Sequence, residues 1–215
     1  MSNQITLLGI GHNSVVYMDL VECLGYEING LYHYNDDRTG EVYYGHRIQG
    51  CFEDLLKNEC MVRGRLFVLT MGNNQIRMGL FQKIQSKGGI VPNLIHPTAV
   101  ISKYAKIGQG VVVHANSVIQ AGACLLDNCV VSYNSSVSHN AIINAHSYIA
   151  FGATIGAYVE IDENVFVGQG AILISAKVHK VGANSIIGAG AIVTKDVPAN
   201  VVVAGSPARV IKELG

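Results

Sequence analysis

A six-residue repeat of aliphatic residues dominates the second half of the chain. The series begins at Ile101, runs without a break to Leu173 and resumes at Val181. Four residues after almost every aliphatic comes a small or β-branched residue, as at Ala105. Lys177 is the exception, and it lies beside the segment "KVHK", where two extra residues interrupt the phase.

This period matches neither the 3.6-residue turn of an α-helix nor the two-residue alternation of a strand. It is typical of a parallel β-solenoid with triangular coils, in which each coil contains three short strands. The aliphatic side chain then points into the coil, and the small residue fits the narrow space near a corner. The 16 repeats therefore predict about five coils, with a loop leaving the coil beside Lys177.

Residues 1–92 lack this repeat. The segment "ITLLGI" predicts a buried strand, and "SVVYMDLVECLG" predicts a helix that has Val16, Leu20 and Leu24 on one face and ends at Gly25. "YEINGLYHY" and "RLFVLTMG" predict two further strands, and "CFEDLLKN" predicts a short helix between them.

A third helix is predicted by "NQIRMGLFQKIQSKGG", which aligns Ile76, Leu80 and Ile84. Alternating strands and helices are typical of a small parallel α/β domain. We therefore expect a Rossmann-like α/β domain over residues 1–92, followed over residues 93–215 by an all-β parallel solenoid with a C-terminal cap.

Composition narrows the class of function. With 15 basic residues, 15 acidic residues and no Trp, the chain lacks the positive excess that nucleic-acid binding requires. It has no run of about 18 apolar residues and no charged segment ahead of an apolar run, so we expect no membrane span and a cytoplasmic location. The five cysteines include no C-x-x-C pair, so we interpret them as reduced packing residues and expect no metal.

Two strand-to-helix turns could bind a ligand. The first, "GIGHNS", spans residues 9–14, and the second, "MGNNQIR", spans residues 71–77. Both turns should lie at the carboxyl ends of parallel strands, where a helix N-terminus attracts phosphate. Ser14 replaces the third glycine of a dinucleotide motif, so a nucleotide-containing ligand other than NAD is the interpretation. The alternatives are a plain turn and, in the second case, an Asn73 or Asn74 that only caps its helix.

Three histidines of the solenoid fall outside the inward positions, and we expect them on flat outer faces: His114, His139 and His146. In the 18-residue register of the coils, His139 lies between Ala121 and Ala157. These side chains are too small to cover an imidazole, so His139 could act as a base in a groove. A solvated surface histidine is the alternative.

Several segments together resemble a known family. They are the repeat itself, its ending "SIIGAGAIVTKDVPANVVVAGSPARVI", the opening "GIGH", the turn "MGNNQIR" and the link "LIHPTAVIS". This combination resembles the PglD/NeuD-type acetyltransferases, which modify nucleotide-linked amino sugars and sialic acids. The resemblance implies a left-handed parallel β-helix, a homotrimer, acetyl-CoA in the cleft between two prisms, and a nucleotide sugar on the N-terminal domain.

The resemblance also implies roles for single residues. "VSHNAII" matches the family segment V-x-H-[DE]-x-x-I, so His139 takes the role of general base, with Asn140 in the place of the usual acid. An amide can hold the imidazole but cannot offset its positive charge. The residues implied for the acetyl-CoA path are Tyr148, Ala157, Gln169, Gly188 and Ala189. The residues implied for the nucleotide sugar are Ile10, Gly11, His12, Tyr32, His33, Gly72 and Asn73.

The implied reaction is acetyl transfer to the amine of a nucleotide-linked 4-amino-4,6-dideoxy sugar by direct attack on the thioester. Tyr148 stands where the family often has a second histidine, and "IAFGA" replaces "IAPGA", so another acyl group is an alternative. Acetyl transfer to a hydroxyl, as for sialic acid, is a second alternative. More distant alternatives are a trimeric zinc hydratase of the carbonic-anhydrase type and a scaffold without activity.

Overall fold

The computed structural model describes residues 3–215, and the chain divides into two compact units. The first unit ends at Leu94 and the second begins at Ile95.

The first unit is a five-stranded sheet with helices, in which the strand order is β3-β4-β2-β1-β5. The central β1 pairs in parallel with β2 on one side and β5 on the other, and β3 is antiparallel to β4. The strands are β1 (Gln4–Leu8), β2 (Glu27–His33), β3 (Val42–Tyr43), β4 (His46–Cys51) and β5 (Leu66–Leu69). The helices are α1 (Ser14–Cys23), α2 (Phe52–Lys57) and α3 (Asn74–Ser86), with a 3-10 turn at Glu59–Met61.

All three strands and all three helices predicted for this unit are present. The β3–β4 hairpin was not predicted, because β3 has only two residues and gives no periodic signal. Its turn has Tyr44 and Gly45 at φ 47° and 83°, which is the left-handed pair typical of tight hairpins. Parallel pairing of β4 with β2 then adds a further strand to the sheet.

The predicted helix faces are confirmed at Leu20, Leu80 and Ile84, which are buried. They were wrong at the first residue of each face, since Val16 and Ile76 are 38% and 51% exposed. Tyr17 and Arg77 occupy the inner positions there instead. The predicted end of α1 is confirmed, since Gly25 follows it with φ 79°.

The second unit is a parallel β-helix whose strands form three faces. Strands one coil apart pair in parallel 18 residues apart, as Val130 pairs with Tyr148. Face 1 contains β6 (Leu94–Ile95), β9 (Val112–Val113), β12 (Val130–Val131), β15 (Tyr148–Ile149), β18 (Phe166–Val167), β21 (Ile186–Ile187), β23 (Val201–Gly205) and β24 (Ala208–Glu213). Face 2 contains β7 (Val100–Ile101), β10 (Val118–Ile119), β13 (Ser136–Val137), β16 (Thr154–Ile155), β19 (Ile172–Leu173) and β22 (Ile192–Val193). Face 3 contains β8 (Lys106–Ile107), β11 (Cys124–Leu125), β14 (Ile142–Ile143), β17 (Glu160–Ile161) and β20 (Lys180–Val181).

The interior follows the predicted repeat. The inward aliphatics, such as Val131 and Ile149, are fully buried, and so are the small residues near the corners, such as Ala141. Buried serines at these positions keep their hydrogen bonds. Ser117 Oγ, for example, donates to the Ser132 carbonyl at 2.7 Å. A hydroxyl satisfied in this way does not carry the cost of an unpaired buried polar group.

The predicted break in phase is confirmed at the corner that follows β19. Lys177 lies in an extra turn, and Val178 takes the interior position with 1% exposure. Paired strands that span this break are consequently 20 residues apart instead of 18, as Glu160 and Lys180 are.

From Gly110 onward, most corners of the β-helix turn through a residue with positive φ, and asparagine and glycine usually occupy that position. These residues adopt the left-handed region at the lowest cost. At the corner between faces 3 and 1, the asparagines also form a ladder. Asn164 Nδ2 donates to Asn184 Oδ1 at 2.8 Å, and Asn184 Nδ2 donates to Asn200 Oδ1 at 3.0 Å.

The chain ends in an antiparallel hairpin of β23 and β24, and β23 continues face 1 by pairing in parallel with β21. Across residues 3–215, we find no helix with the length and apolar character needed to cross a bilayer.

Two corner glycines provide a test of the coil spacing. A Cβ at Gly168 would lie 2.6 Å from both the Ala189 nitrogen and the Ile187 carbonyl oxygen of the next coil. Gly168→Ala should therefore lower the free energy of unfolding by about 1–3 kcal/mol. Gly170 has φ 64° and open space around it, so Gly170→Asn should change stability little. Denaturant unfolding of both variants checks this, and equal stability of the two would contradict the close approach of the coils.

Candidate active site

His139 lies at the corner between faces 2 and 3, directly after β13, and its residue is exposed. Its backbone is bound to the coils on both sides. The N–H donates to Gln120 Oε1 at 3.0 Å, and the carbonyl accepts the Tyr158 N–H at 3.3 Å. The position of the imidazole is therefore set by the coil register and not by a mobile loop.

Two side chains contact the His139 imidazole. Asn140 Nδ2 lies 3.1 Å from His139 Nδ1, and the Tyr158 ring lies edge-to-face with the imidazole at 5.2 Å and 89°. Ala157, at the equivalent position one coil later, is too small to cover the imidazole, so Tyr158 is the large side chain of that coil that contacts it. Among residues 3–215, none of the ion pairs includes His139 or Asn140.

Tyr158 was not identified from the sequence. It lies 18 residues after Asn140, so the coil register places it one coil beyond Asn140. The prediction used only the positions one coil from His139 itself, Ala121 and Ala157. The contact is diagonal, from one coil to the next position of its neighbour.

The expectation that the three solenoid histidines lie on flat outer faces was wrong. All three lie at corners, and His114 and His146 are only 5% and 8% exposed. His146 has φ 64° and places Nδ1 2.9 Å from Asn128 Nδ2. The corner positions arise because each strand has only two residues, which leaves four residues of every repeat for the turn.

These histidines also lie at three different corners of one prism. His114 is at the corner between faces 1 and 2, His139 between faces 2 and 3, and His146 between faces 3 and 1. Within the described part of the chain, no group of three or more His, Cys, Asp or Glu side chains could hold a metal ion.

The residues predicted for acetyl-CoA do not converge within one copy. Tyr148 is the outward residue of β15 on face 1, where its ring stacks on Phe166 at 5.4 Å. Nine residues are half of an 18-residue coil, so Tyr148 lies across the prism from His139. Ala157 shares the His139 corner, whereas the remaining predicted residues lie at the corner between faces 1 and 2: Gln169, Gly188 and Ala189.

An aromatic pair lies at that same corner between faces 1 and 2. Tyr133 and Phe151 stack at 5.4 Å and 17°, and they are 41% and 42% exposed. They occupy the positions equivalent to Gln169 in the two preceding coils. Tyr133 was not identified from the sequence. Phe151, which stands in "IAFGA" in place of proline, forms an aromatic stack that a proline could not form.

In the first unit, the two predicted turns lie side by side. Thr70, after β5, donates its hydroxyl hydrogen bond to the Gly9 carbonyl after β1. Gly9 has φ 94°, and a Cβ there would meet the Met71 side chain at 2.7 Å. Both turns therefore lie at the carboxyl edge of the sheet, where ligands of such sheets bind.

The first turn is held by its own side chains and by the hairpin segment. Ser14 is buried, and its Oγ accepts the Gly11 N–H at 3.1 Å. Arg38, which was not identified from the sequence, donates from Nη1 to the Ile10 carbonyl at 3.3 Å and lies 5.5 Å from the Tyr43 ring. Ile10 is 2% exposed, so its side chain packs inside and only its peptide groups face the turn. Gly11 and His12 are exposed.

The other predicted sugar contacts differ in access. His33 is 7% exposed, and burial together with the nearby Arg38 lowers its pKa. Burial raises the pKa of Tyr32, whose hydroxyl donates to Gln49 Oε1 at 2.8 Å. Asn73 Oδ1 accepts the Ile76 N–H at 3.0 Å, so Asn73 does cap α3. Gly72 beside it is exposed.

Comparison with known proteins decides the family. A family model described as the GMPPB C-terminal domain matches residues 90–214. The acetyltransferase domain of PglB from Neisseria gonorrhoeae is 31% identical, with a TM-score of 0.86, and the match covers 98% of this chain and 100% of that one. The chain belongs to the family of hexapeptide-repeat sugar acetyltransferases. This confirms the predicted family, the fold of an α/β unit followed by a left-handed β-helix, and the acyltransferase class.

The other relatives match less of the sequence. PerB from Caulobacter crescentus, solved with CoA and GDP-perosamine, is 23% identical with a TM-score of 0.73 over 97% of both chains, and this likeness shows the fold. The galactoside O-acetyltransferase of Escherichia coli is 52% identical over 56 residues, which are 26% of this chain and 27% of that protein. The match thus spans about a quarter of that curated relative. The PglB domain has been solved with acetyl coenzyme A, in agreement with the predicted cosubstrate of this family member.

The buried His114 should make the free energy of unfolding depend on pH. Burial, and next the neighbouring His96, lower the pKa of His114 from 6.5 to about 4. The unfolded chain therefore binds this proton more readily than the folded chain. The resulting stabilisation is complete above pH 6.5 and is lost as the pH falls towards 4.

Between pH 7 and pH 4.5, this group should remove about 2–3 kcal/mol from the free energy of unfolding of the parent. His114→Gln should show a correspondingly smaller loss over the same range, whatever its stability at pH 7. The exposed His179 serves as the control, and His179→Gln should keep the parent's dependence. Urea unfolding at both pH values measures the difference, and an unchanged slope in His114→Gln would refute it.

Proposed function

We propose that this chain is an acetyl-CoA-dependent N-acetyltransferase that acts on the amine of a nucleotide-linked 4-amino-4,6-dideoxy sugar, with His139 as general base. The observation that carries the proposal is the exposed His139 imidazole, fixed at a corner of the β-helix by hydrogen bonds to two adjacent coils. The paired turns of the first unit support a phosphate-containing acceptor. The PglB complex with acetyl coenzyme A supports the donor.

In the proposed reaction, the sugar amine attacks the thioester carbonyl carbon without a covalent enzyme intermediate. The C–N bond forms, the C–S bond breaks, and the amine proton passes to His139 Nε2. The departing CoA thiolate then takes a proton, and the imidazole returns to its neutral form. A backbone N–H near the thioester, with the Tyr148 hydroxyl as a second donor, stabilises the oxyanion.

The amide of Asn140 controls which imidazole nitrogen can act. When Nδ2 faces His139 Nδ1, as it does here, the amide donates and the imidazole proton resides on Nε2. Half a turn of the amide presents Oδ1, which accepts a hydrogen bond from Nδ1–H and leaves Nε2 ready to accept a proton. We propose that the second orientation is the reactive one.

A homotrimer would bring the divided acetyl-CoA residues together. In one prism, Tyr148 and Gln169 lie away from the His139 corner. Cyclic packing of three prisms places the His139 corner of each copy against another surface of its neighbour. The pantetheine could then pass Ala157 of one copy and Gln169, Gly188 and Ala189 of the next.

The nucleotide sugar would bind to the first unit. The peptide groups of Ile10, Gly11 and His12, at the N-terminus of α1, suit its phosphates. Tyr32 and Gly72 would contact the sugar or base, and Asn73 would combine its cap with a ligand contact. His33 would reach the ligand only with the 7% of its surface that is exposed. Arg38 holds this turn by its hydrogen bond to the Ile10 carbonyl, and its charge is paired with that of Glu41.

Acetyl transfer to a hydroxyl is the second candidate. The match to the galactoside O-acetyltransferase favours it, and the same imidazole could take a proton from an alcohol. The acceptors separate the two functions, because an amine acceptor requires the amino group and an alcohol acceptor does not.

The proposal predicts that His139→Ala lowers kcat about 10²- to 10⁴-fold, because the attacking nitrogen loses its proton acceptor. A thiol-release assay measures this with acetyl-CoA and a panel of UDP-, dTDP- and GDP-linked amino sugars, together with the corresponding hydroxy sugars. His179→Ala, at an exposed histidine on another coil, is the matched control and should keep the parent rate. Parent-like turnover in His139→Ala would remove the base from this residue, and turnover of hydroxy sugars alone would favour O-acetyl transfer.

The shared site makes a separate prediction for mixed oligomers. His139→Ala lacks the base, and Ala189→Arg should block the pantetheine path, so each variant alone should be inactive. If the two residues serve one site from different copies, equal mixing by co-expression restores about a quarter of all sites, and about a third of the sites in mixed trimers. Separately tagged chains allow purification of these mixed trimers before the thiol-release assay. Mixed oligomers without activity would contradict a site between copies.

A further inference from the structure

The ring of Tyr158 is the one aromatic contact of the proposed base among residues 3–215. We propose that Tyr158 is a positioning residue, whose ring fixes the His139 imidazole and supports its positive charge while it holds the transferred proton. This inference rests on the proposed function, since it concerns the same base.

The rings of Tyr158 and His139 have the geometry of a favourable aromatic pair. The two rings are 5.2 Å apart at 89°, within the 4.5–7 Å range of favourable edge-to-face pairs. The Tyr158 N–H also donates to the His139 carbonyl at 3.3 Å. Tyr158 therefore contacts His139 through both its backbone and its ring. These two contacts fix the ring relative to the imidazole.

The backbone of Tyr158 is in the left-handed region, with φ 61°. A large side chain is disfavoured in the left-handed region, and most corners of this β-helix use asparagine or glycine there. Asn140 fills the equivalent position one coil earlier, with φ 56°. A tyrosine held in this conformation is an outlier of the kind that accompanies functional sites.

The Tyr158 side chain is largely open to solvent. It is 66% exposed, so packing in the solenoid core does not explain a tyrosine at this corner.

The charge of the protonated base needs a partner. On accepting a proton, His139 becomes an imidazolium, and its hydrogen-bond partner Asn140 is neutral. The face of an aromatic ring carries a partial negative charge and attracts a cation. In the proposed role, the imidazolium edge points at the Tyr158 face, and the ring supplies the stabilisation that the amide cannot.

Tyr158→Asn tests this role, because asparagine already occupies the equivalent corner position and should fold. We expect kcat to fall about 10-fold, while the KM for acetyl-CoA changes less than about 2-fold. Tyr158→Phe keeps the ring and should recover most of the rate. Tyr104→Asn is the matched control, since Tyr104 is 67% exposed at the same corner three coils earlier and should not affect turnover.

A second background separates charge support from shape. In Asn140→Asp, a carboxylate offsets the imidazolium, so adding Tyr158→Asn should cost less than about 3-fold. An equal cost in both backgrounds would overturn the charge role. A loss in Tyr158→Phe as large as in Tyr158→Asn would assign the effect to the hydroxyl instead of the ring, and an unchanged kcat in Tyr158→Asn would refute the proposal.

A measurement without substrate distinguishes failure of this inference from failure of the proposed function. The His139 imidazole C–H resonance, assigned by its loss in His139→Ala, should move in Tyr158→Asn because the ring current is removed. Tyr158→Phe should leave it near its parent position. If the parent turns over no acceptor, the proposed function fails while this shift still tests the ring contact, and an unmoved resonance would overturn the contact itself.

Discussion

Stacking of inward aliphatic side chains at an 18-residue register is the constraint on which the other features of the β-helix depend. Parallel pairing such as that of Val130 with Tyr148 fixes each coil to the next, and buried residues such as Ile149 leave no freedom for a slip. A slip of one residue would exchange the inner and outer side chains of every strand in the coil. The corners are consequently placed as firmly as the core.

This constraint explains how a short surface turn can hold the His139 imidazole in a fixed position. His139 takes its backbone position from Gln120 in one coil and Tyr158 in the next. In the proposed enzyme, Asn140 and Tyr158 both approach the imidazole from positions that the register assigns. An imidazole with neutral neighbours can gain and lose a proton without breaking an ion pair.

The sequence predicted most of the fold from two patterns that extend over long stretches. They are the six-residue repeat of the β-helix and the alternation of strands and helices in the first unit. The sequence did not show that the strands within the coils have only two residues, which leaves most of the intervening residues at corners. The buried corner positions of His114 and His146 were therefore missed. Only the first residue of the α1 and α3 faces was misplaced, because neighbouring side chains compete for the inner stripe. Tyr158 contacts His139 diagonally from the next coil, and Arg38 reaches Ile10 from a distant part of the chain.

The C-terminal hairpin determines where the solenoid can grow. A parallel β-helix leaves unpaired backbone groups at its last coil, and such an edge could accept a strand from another molecule. On face 1, β24 reverses direction against β23 and exposes both charged residues, such as Lys212, and apolar ones, such as Ile211. A further parallel strand of face 1 would therefore meet an antiparallel partner. The direction of β24, and not its composition, ends the parallel ladder on this face.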